Sequence, residues 1–400
     1  MVNQRPIDAS QARSSDDLKT SSPEFMPEFT PASVAELVDH IRRFSDTVLL
    51  PVGSNTKSAM TRIPEKTVTR IHMRSIEGVI DYQPADFTIT VAAGTKVETV
   101  DKCLRECGQF LPFDPPFASK GSTIGGMVAA GLNGPCRMLW GGLRDFLLAV
   151  EFIDGLGKLV RGGARVVKNS AGFDLPKFMA GSMGRYGIMT SITFKVFPSP
   201  VLYRTWRVGA STLAQAMSCL EKISRLPLDL VAVELDRCGM IHMRGVGSDR
   251  VLDATQARLR EVLSREIESV SGVDEAPFWC DRRDNPLSYF SKLKEGASDR
   301  DSIGSSLIKL SLSPSNLVSL DRWLDERGVC RTYGHAGNSA WIAWPQDRHR
   351  LELHQQVLAM GMTAVVVDGD LQPGWMIGKQ EQSFLDRIRN ALDPLGRWLQ

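Results

Sequence analysis

The chain has 400 residues, 42% hydrophobic and 24% charged, with a formal charge of +2; that is length enough for two domains and a full core without disulfides or metals. The even balance of 48 basic and 46 acidic side chains gives no electrostatic case for nucleic acid or an anionic membrane as main partner. No apolar run approaches the roughly 18–20 residues that span a bilayer, residues 1–29 lack the apolar core of a secretory signal, and seven cysteines without a CxxC pair point to a reduced, cytoplasmic protein.

In chain order, residues 1–29 read as a disordered tail, poor in periodicity. Order is expected from Ser33, where Ser33 and Glu36 form a capping box and Val34, Leu37, Val38 and Ile41 make one helical stripe. A strand follows at Thr47–Val52, then the loop Gly53-Ser54-Asn55-Thr56-Lys57. Phe87–Val91 alternates as a strand. Thr95 and Glu98 are expected to cap a helix striped by Val97, Val100, Leu104 and Cys107 and stopped by Gly108. Phe146–Asp154 reads as a strand, Gly155-Leu156-Gly157 as a turn, and Ile188–Val196 as a strand ended by Pro198. Pro198-Ser199-Pro200 marks the domain boundary. Beyond it, helices are expected over Leu213–Ile223, Val251–Val270, Asn316–Arg327 and Arg350–Met360. Strands are expected over Asp229–Asp236, Met240–Arg244, Leu307–Leu312, Ala340–Trp344 and Thr363–Asp368, with long loops over 271–306. The alternation implies an α+β domain with helices on one sheet face.

Three segments carry chemistry. Standard GxGxxG, Walker A, HExxH and GxSxG motifs are absent, which disfavours a Rossmann NAD site. The first segment, Pro51-Val52-Gly53-Ser54-Asn55-Thr56-Lys57, is either an ordinary loop or a turn aiming backbone N–H groups at a phosphate. The second is Asp114-Pro115-Pro116-Phe117 and Ser122-Thr123-Ile124-Gly125-Gly126-Met127-Val128-Ala129-Ala130. There Ser122 or Thr123 can cap a helix whose bare glycines expose first-turn amides to an anion, or the helix merely packs tightly on a sheet. The third runs from Gly162 to Thr190 and includes Val167–Asp174 and Gly181–Thr190; a flat ligand can lie against Gly187 and Ile188. The second and third segments share in a glycine cluster: 15 of the chain's 34 glycines fall between Gly121 and Gly187.

Taken in this order, the three segments resemble the FAD-binding domain of the vanillyl-alcohol-oxidase (PCMH-type) flavoprotein superfamily. Within it they are similar to the E-type FAD-binding subunits of bacterial glycolate oxidase. That likeness rests on Leu111–Pro116, Gly131–Arg137, Gly142–Asp145 and Val167–Asp174, and more thinly on Gly334–Asn338 and Leu392–Pro394. The chain departs from the pattern at Gly53–Lys57, at Ser339 and at Leu395–Trp398. The resemblance implies a two-subdomain PCMH-type FAD-binding domain over 30–199. It is followed by a smaller α+β cap-like domain over 200–400 whose C-terminal helix can return to the FAD domain. It implies FAD, with Val52 among the cofactor-binding residues and the pyrophosphate held mainly by backbone amides of Gly53–Lys57 and Ser122–Gly126. Pro116, Ile124 and Ala129 lie close by, and the isoalloxazine lies near Gly187 and Ile188. Covalent attachment in this superfamily uses a His or Cys in the phosphate loops. Those loops hold neither here, and Cys136 lies beyond them, so the FAD is expected to be non-covalent.

The same resemblance implies oxidation of a small 2-hydroxy acid by a heteromeric complex. Its companions are a flavin-bearing D-type subunit and an iron–sulfur subunit, with peripheral attachment to the inner membrane through those partners. Self-sufficient dehydrogenation of another hydroxy or sugar acid, and a non-catalytic scaffold, are the alternatives. Hydroxy-acid oxidation needs a base and a cation. His335, in His335-Ala336-Gly337-Asn338, is the catalytic candidate set against an ordinary loop histidine. His40, His72, His242, His349 and His354 fall in helix or strand patterns. Arg137, Arg144, Lys168 and Arg185 are cations in the flavin domain; each can equally be a surface charge. No metal set or four-cysteine cluster is present.

Overall fold

A computed structural model of the chain describes residues 28–44, 47–61, 68–164, 174–270, 275–287, 304–369, 371, 376–377 and 382–398. Residues 1–27, Val167–Phe173 with Lys168, and 288–303 lie outside the described residues.

The first domain holds two small sheets. Strands β1 (Glu28–Phe29), β2 (Val48–Val52) and β3 (Val68–His72) form a parallel sheet in the order β1-β3-β2, with α1 (Val34–Arg43) connecting β1 to β2. Order thus begins before Ser33: Glu28 and Phe29 pair with Arg70 and Ile71, and Phe29 stacks on His40 at 3.8 Å. Ser33 caps α1 as expected, accepting from the Glu36 amide at 3.2 Å. The second sheet is antiparallel, β4-β5-β9-β7-β8. It comprises β4 (Val79–Gln83), β5 (Thr88–Ala92), β7 (Leu147–Ile153), β8 (Leu159–Gly163) and β9 (Ile188–Lys195). Strand β9 is buried at every residue from Ile188 to Phe194, so its alternation separates two packed faces rather than core from solvent. Between these strands lie α2 (Val97–Glu106), β6 (Gln109–Phe110), α3 (Ile124–Ala130), the short turns of helix α4 (Arg137–Trp140) and α5 (Leu143–Phe146), and α6 (Leu175–Met179). Val97, Val100 and Leu104 are fully buried on α2, but Cys107 is exposed. Thr95 does not cap α2. Its hydroxyl donates to the Ala92 carbonyl at 2.7 Å and accepts from the Gly78 amide, fixing the preceding turn instead.

Strand β10 (Phe197–Pro198) pairs with β6 and leads into the second domain. Its nine-stranded sheet runs β14-β11-β13-β12-β16-β17-β15-β18-β19. The strands are β11 (Leu202–Gly209), β12 (Leu230–Asp236), β13 (Met240–Gly247), β14 (Glu268–Val270), β15 (Ser305–Ser311), β16 (Cys330–Gly334), β17 (Ser339–Pro345), β18 (Thr363–Asp368) and β19 (Met376–Ile377). Helices α7 (Leu213–Ser224), α8 (Asp249–Leu263), α10 (Pro314–Asp325) and α11 (Arg350–Ala359) bury apolar stripes on one face; Leu220, Leu259, Leu320 and Val357 share that core. The helix expected over Val251–Val270 stops at Leu263, where Ser264 turns left-handed and the chain re-enters the sheet as β14. The loop expected over 271–306 contains helix α9 (Glu275–Asp284), which has no apolar stripe because it packs through charges on the opposite sheet face.

Helix α12 (Gln382–Leu392) returns to the first domain, where Ile388 and Leu392 pack against its core. The segment after it locks in place. Asp393 accepts from the amides of Arg397 and Trp398 at 2.7 and 2.9 Å, and the Arg397 guanidinium donates to the carbonyls of Ile41 and Phe44. The Leu49 amide donates to the Arg397 carbonyl at 2.7 Å, and Trp398 is 1% exposed among Leu37, Ile41 and Leu49. Trp398→Ala should therefore lower the unfolding free energy by about 3–5 kcal/mol, read as a reduced urea midpoint.

Candidate functional site

A cleft opens between the two sheets of the first domain. One wall is the turn leaving β2, from Val52 to Lys57. The second is the start of α3, with Ser122 and Thr123 before it and Gly125, Gly126 and Ala129 on it. The third is the start of β9 at Gly187 and Ile188. Every expected site residue of the first domain lines this cleft except Pro116 and Ile124, which are buried behind it. The structure adds Arg70, Met73, Ala93, Ala130, Met183 and Gly184. Gly184 lay within an expected segment; Arg70 and Met73 follow from the parallel β2–β3 pairing, which no local pattern signals.

The donors of the cleft differ from expectation. The first-turn amides of α3 are spent inside the fold: Ile124 donates to the Thr95 carbonyl at 2.8 Å, Gly125 to Ala93 at 2.7 Å, and Gly126 to the Thr123 hydroxyl at 3.3 Å. Gly125 serves close packing, since a Cβ there would lie 2.9 Å from that of Ala93. Gly53 does the same; its Cβ would fall 2.2 Å from the Thr123 hydroxyl oxygen. The loop after β2 supplies the unspent groups. Among the described residues, the N–H groups of Ser54 to Lys57 donate to no carbonyl or side chain. Asn55 is left-handed at φ 56°, a backbone state found in loops whose successive amides form anion-binding concavities.

The Lys57 ammonium donates to the hydroxyls of Thr56 and Ser122, both at 2.8 Å, and lies 5.3 Å from the Phe117 ring centre. Burial holds its pKa down to about 8, opposed in part by Asp284 of the second domain. Gly126 leaves room for a ligand: a Cβ there would meet only the Thr123 hydroxyl, at 3.0 Å. Paired phosphates fit this wall, which offers free amides, a cation and no carboxylate. A dinucleotide of the FAD type thus finds an anion cradle beside a partly apolar groove.

His335 lies elsewhere. It sits on the interface between domains, left-handed at φ 53°, with Nδ1 2.7 Å from the Ser339 hydroxyl and Nε2 3.1 Å from the Gly134 carbonyl. Burial, with Lys309 nearby, holds its pKa down to about 4, so it is neutral and both nitrogens are engaged. That geometry clamps the domains together and leaves no free base. Lys309 joins the same seam at 3.5 Å from the Asn133 carbonyl. Asp284 accepts from the amides of Ala118 and Ser119 at 3.1 and 3.0 Å, while Arg282 pairs with buried Glu234 at 3.2 Å. His242 is buried against Asp236, and His349 caps α11. His40 stacks on Phe29 and meets Phe44 at a tilt, and His72 lies 3.6 Å from Glu28. His354 sits on α11. Arg144 is exposed, Arg185 is half-buried, and the Cys136 thiol is buried 3.6 Å from Arg244. Among the described residues, no group of three His, Cys, Asp or Glu side chains could hold a metal. No described helix is long and apolar enough to cross a membrane.

A family model described as an FAD binding domain matches residues 28–163. Glycolate oxidase subunit GlcE of Escherichia coli (strain K12) is 33% identical over 335 residues, covering 79% of this chain and 91% of that protein. The chain belongs to the GlcE family. Other relatives match over shorter stretches. Glycolate oxidase subunit GlcD of Bacillus subtilis (strain 168) is 27% identical over 39% of this chain and 33% of its own length. D-2-hydroxyglutarate dehydrogenase of Xanthomonas citri pv. viticola is 29% identical over 42% and 36%. A solved structure of alkyldihydroxyacetonephosphate synthase superposes with a TM-score of 0.67 over 92% of this chain and 76% of that one, at 16% identity, so the fold is common to both.

Two outcomes follow from the cleft. Anion binding favours the Lys57 ammonium, so above pH 8 it must take up a proton; affinity for FAD should be flat below pH 8 and fall above it, by at most about tenfold per pH unit. Lys57→Met should bind more weakly and lose that pH dependence in flavin-fluorescence titrations. Gly126→Asp should weaken FAD binding by at least about a hundredfold through charge repulsion, while the thermal unfolding temperature stays within a few degrees.

Proposed function

We propose that this chain is the FAD-binding subunit of a 2-hydroxy-acid dehydrogenase complex of the glycolate oxidase kind, and that its flavin passes electrons to partner subunits. The observation that carries the reading is the GlcE match, which runs through both domains and most of that protein's length. The cleft agrees with it: the unspent amides of Ser54–Lys57, the Lys57 ammonium and the open face at Gly126 would hold the pyrophosphate. Gly187 and Ile188 would flank one end of the dinucleotide. Bound flavin supplies the acceptor for electrons leaving a CH–OH donor.

The chain's own residues bind and shield rather than catalyse. No His, Asp or Glu lines the cleft among the described residues, so a hydroxyl proton has no carboxylate or imidazole to receive it. His335 keeps both nitrogens engaged on the interface. Where the second domain borders the cleft, Met60, Phe117, Leu132, Trp341 and Val367 pack into an apolar cluster that excludes water. Substrate oxidation is assigned to a companion flavin-bearing D-type subunit, and onward transfer to an iron–sulfur subunit. The complex is placed in the cytoplasm, at the inner membrane through those partners. Attachment of FAD is non-covalent, because residues 52–57 and 114–130 hold neither His nor Cys.

Acid precipitation of the purified yellow chain should leave all flavin in the supernatant. With glycolate or D-lactate and an artificial dye, the FAD-loaded chain alone should show no multiple turnover. The companion subunits should restore it, and His335→Ala should leave the complex's rate unchanged. Rapid turnover by the isolated chain would establish a self-sufficient dehydrogenase in place of this reading.

A further inference from the structure

We infer that Arg70 is a cofactor-binding residue whose guanidinium, together with the Lys57 ammonium, neutralises the two charges of the dinucleotide pyrophosphate. The inference rests on the FAD reading above and adds a residue that neither the phosphate-loop pattern nor the helix start would reveal.

Arg70 lies in the middle of β3, and its side chain reaches the cleft. Its Nε is buried, and among the described residues its guanidinium has no hydrogen-bond or ionic partner. Buried guanidinium N–H groups are normally paired, because leaving one unpaired forfeits its hydration without return. The acid best placed to pair with it is Glu28, its register partner on β1. That carboxylate instead lies 3.6 Å from His72. The cleft therefore keeps a cation that the protein does not neutralise. Lys57 is the other cation on its described lining, which contains no Asp or Glu.

The amide supply strengthens the case. The α3 amides at Ile124, Gly125 and Gly126 are already bonded. The loop after β2 offers the unbonded amides of Ser54 to Lys57, and side-chain charge offsets part of the desolvation of two phosphates. A guanidinium suits that task, since its planar fork can hold a phosphate through two parallel N–H···O bonds.

The test is FAD titration of the apo full-length chain, wild type against Arg70→Gln and Arg70→Lys, over a range of NaCl concentrations. Arg70→Gln is expected to raise the Kd by about ten- to a hundredfold and to flatten its salt dependence, because one cation–phosphate contact is gone. Arg70→Lys should retain the salt dependence with an intermediate Kd. The inference is overturned if Arg70→Gln binds FAD within twofold of wild type. It is also overturned if that variant binds weakly with an unchanged salt dependence, which would give Arg70 a role in cleft shape alone. Absence of FAD binding by the wild-type chain would overturn the FAD reading and this inference with it. Circular dichroism melting of each variant verifies that the fold is intact before titration.

Discussion

The structure depends on how closely the start of α3 is pinned between the two sheets of the first domain. Gly125 donates to Ala93 and Ile124 to Thr95, so the helix begins as an extension of the antiparallel sheet. Thr123 then touches Gly53 at the end of the parallel sheet at a distance no Cβ could share. This contact fixes the gap between the sheets, and the gap is the cleft. The same pinning decides its chemistry. A helix start that spends its amides on neighbouring backbone has none left for a ligand, which leaves the unbonded amides of Ser54 to Lys57 in the loop after β2 on the opposite wall.

The second domain is joined to the first through polar groups removed from water. Residues 131–143 of the first domain lie against its sheet: Asn133 and Gly134 present carbonyls to Lys309 and His335, and Cys136 meets Arg244. Helix α9 adds Asp284 to the loop at Ala118 and Ser119. Burial pulls Lys309 down to about 8 and pushes Glu234 up to about 7. These groups resist charging because the seam is buried, and each is held by a directional partner. Such a seam favours one mutual arrangement of the domains over sliding alternatives.

Much of this was legible in the sequence where local chemistry decides local structure. The Ser33 cap, the Thr123 cap, the alternating run at Ile188–Val196 and the glycine-rich turns located the elements and nearly the whole cleft. What escaped depended on distant partners. The β2–β3 crossover that brings Arg70 to the cleft is a long-range pairing. So is the fate of the α3 amides, which looked bare in sequence and are bonded to Ala93 and Thr95. Helix α9 carries its partners in charged side chains, Glu275 to Arg244 and Arg282 to Glu234, so it lacks the apolar period that betrays a helix. His335 stood in a motif-like setting, yet the carbonyl that engages its Nε2 belongs to Gly134, two hundred residues away.

The clasp formed by residues 393–398 has a consequence for biosynthesis. Trp398 and Arg397 complete the core under α1 and β2, so the first domain is assembled from both ends of the described chain, with the second domain between them. During translation, α1 and the parallel sheet emerge well before residues 393–398, and Leu37, Ile41 and Leu49 stay incompletely covered until that segment arrives. The nine-stranded sheet, whose pairings lie within 202–377, can form first. The nascent flavin domain is then the part that needs protection from aggregation, and cofactor capture becomes a late event in the life of the chain.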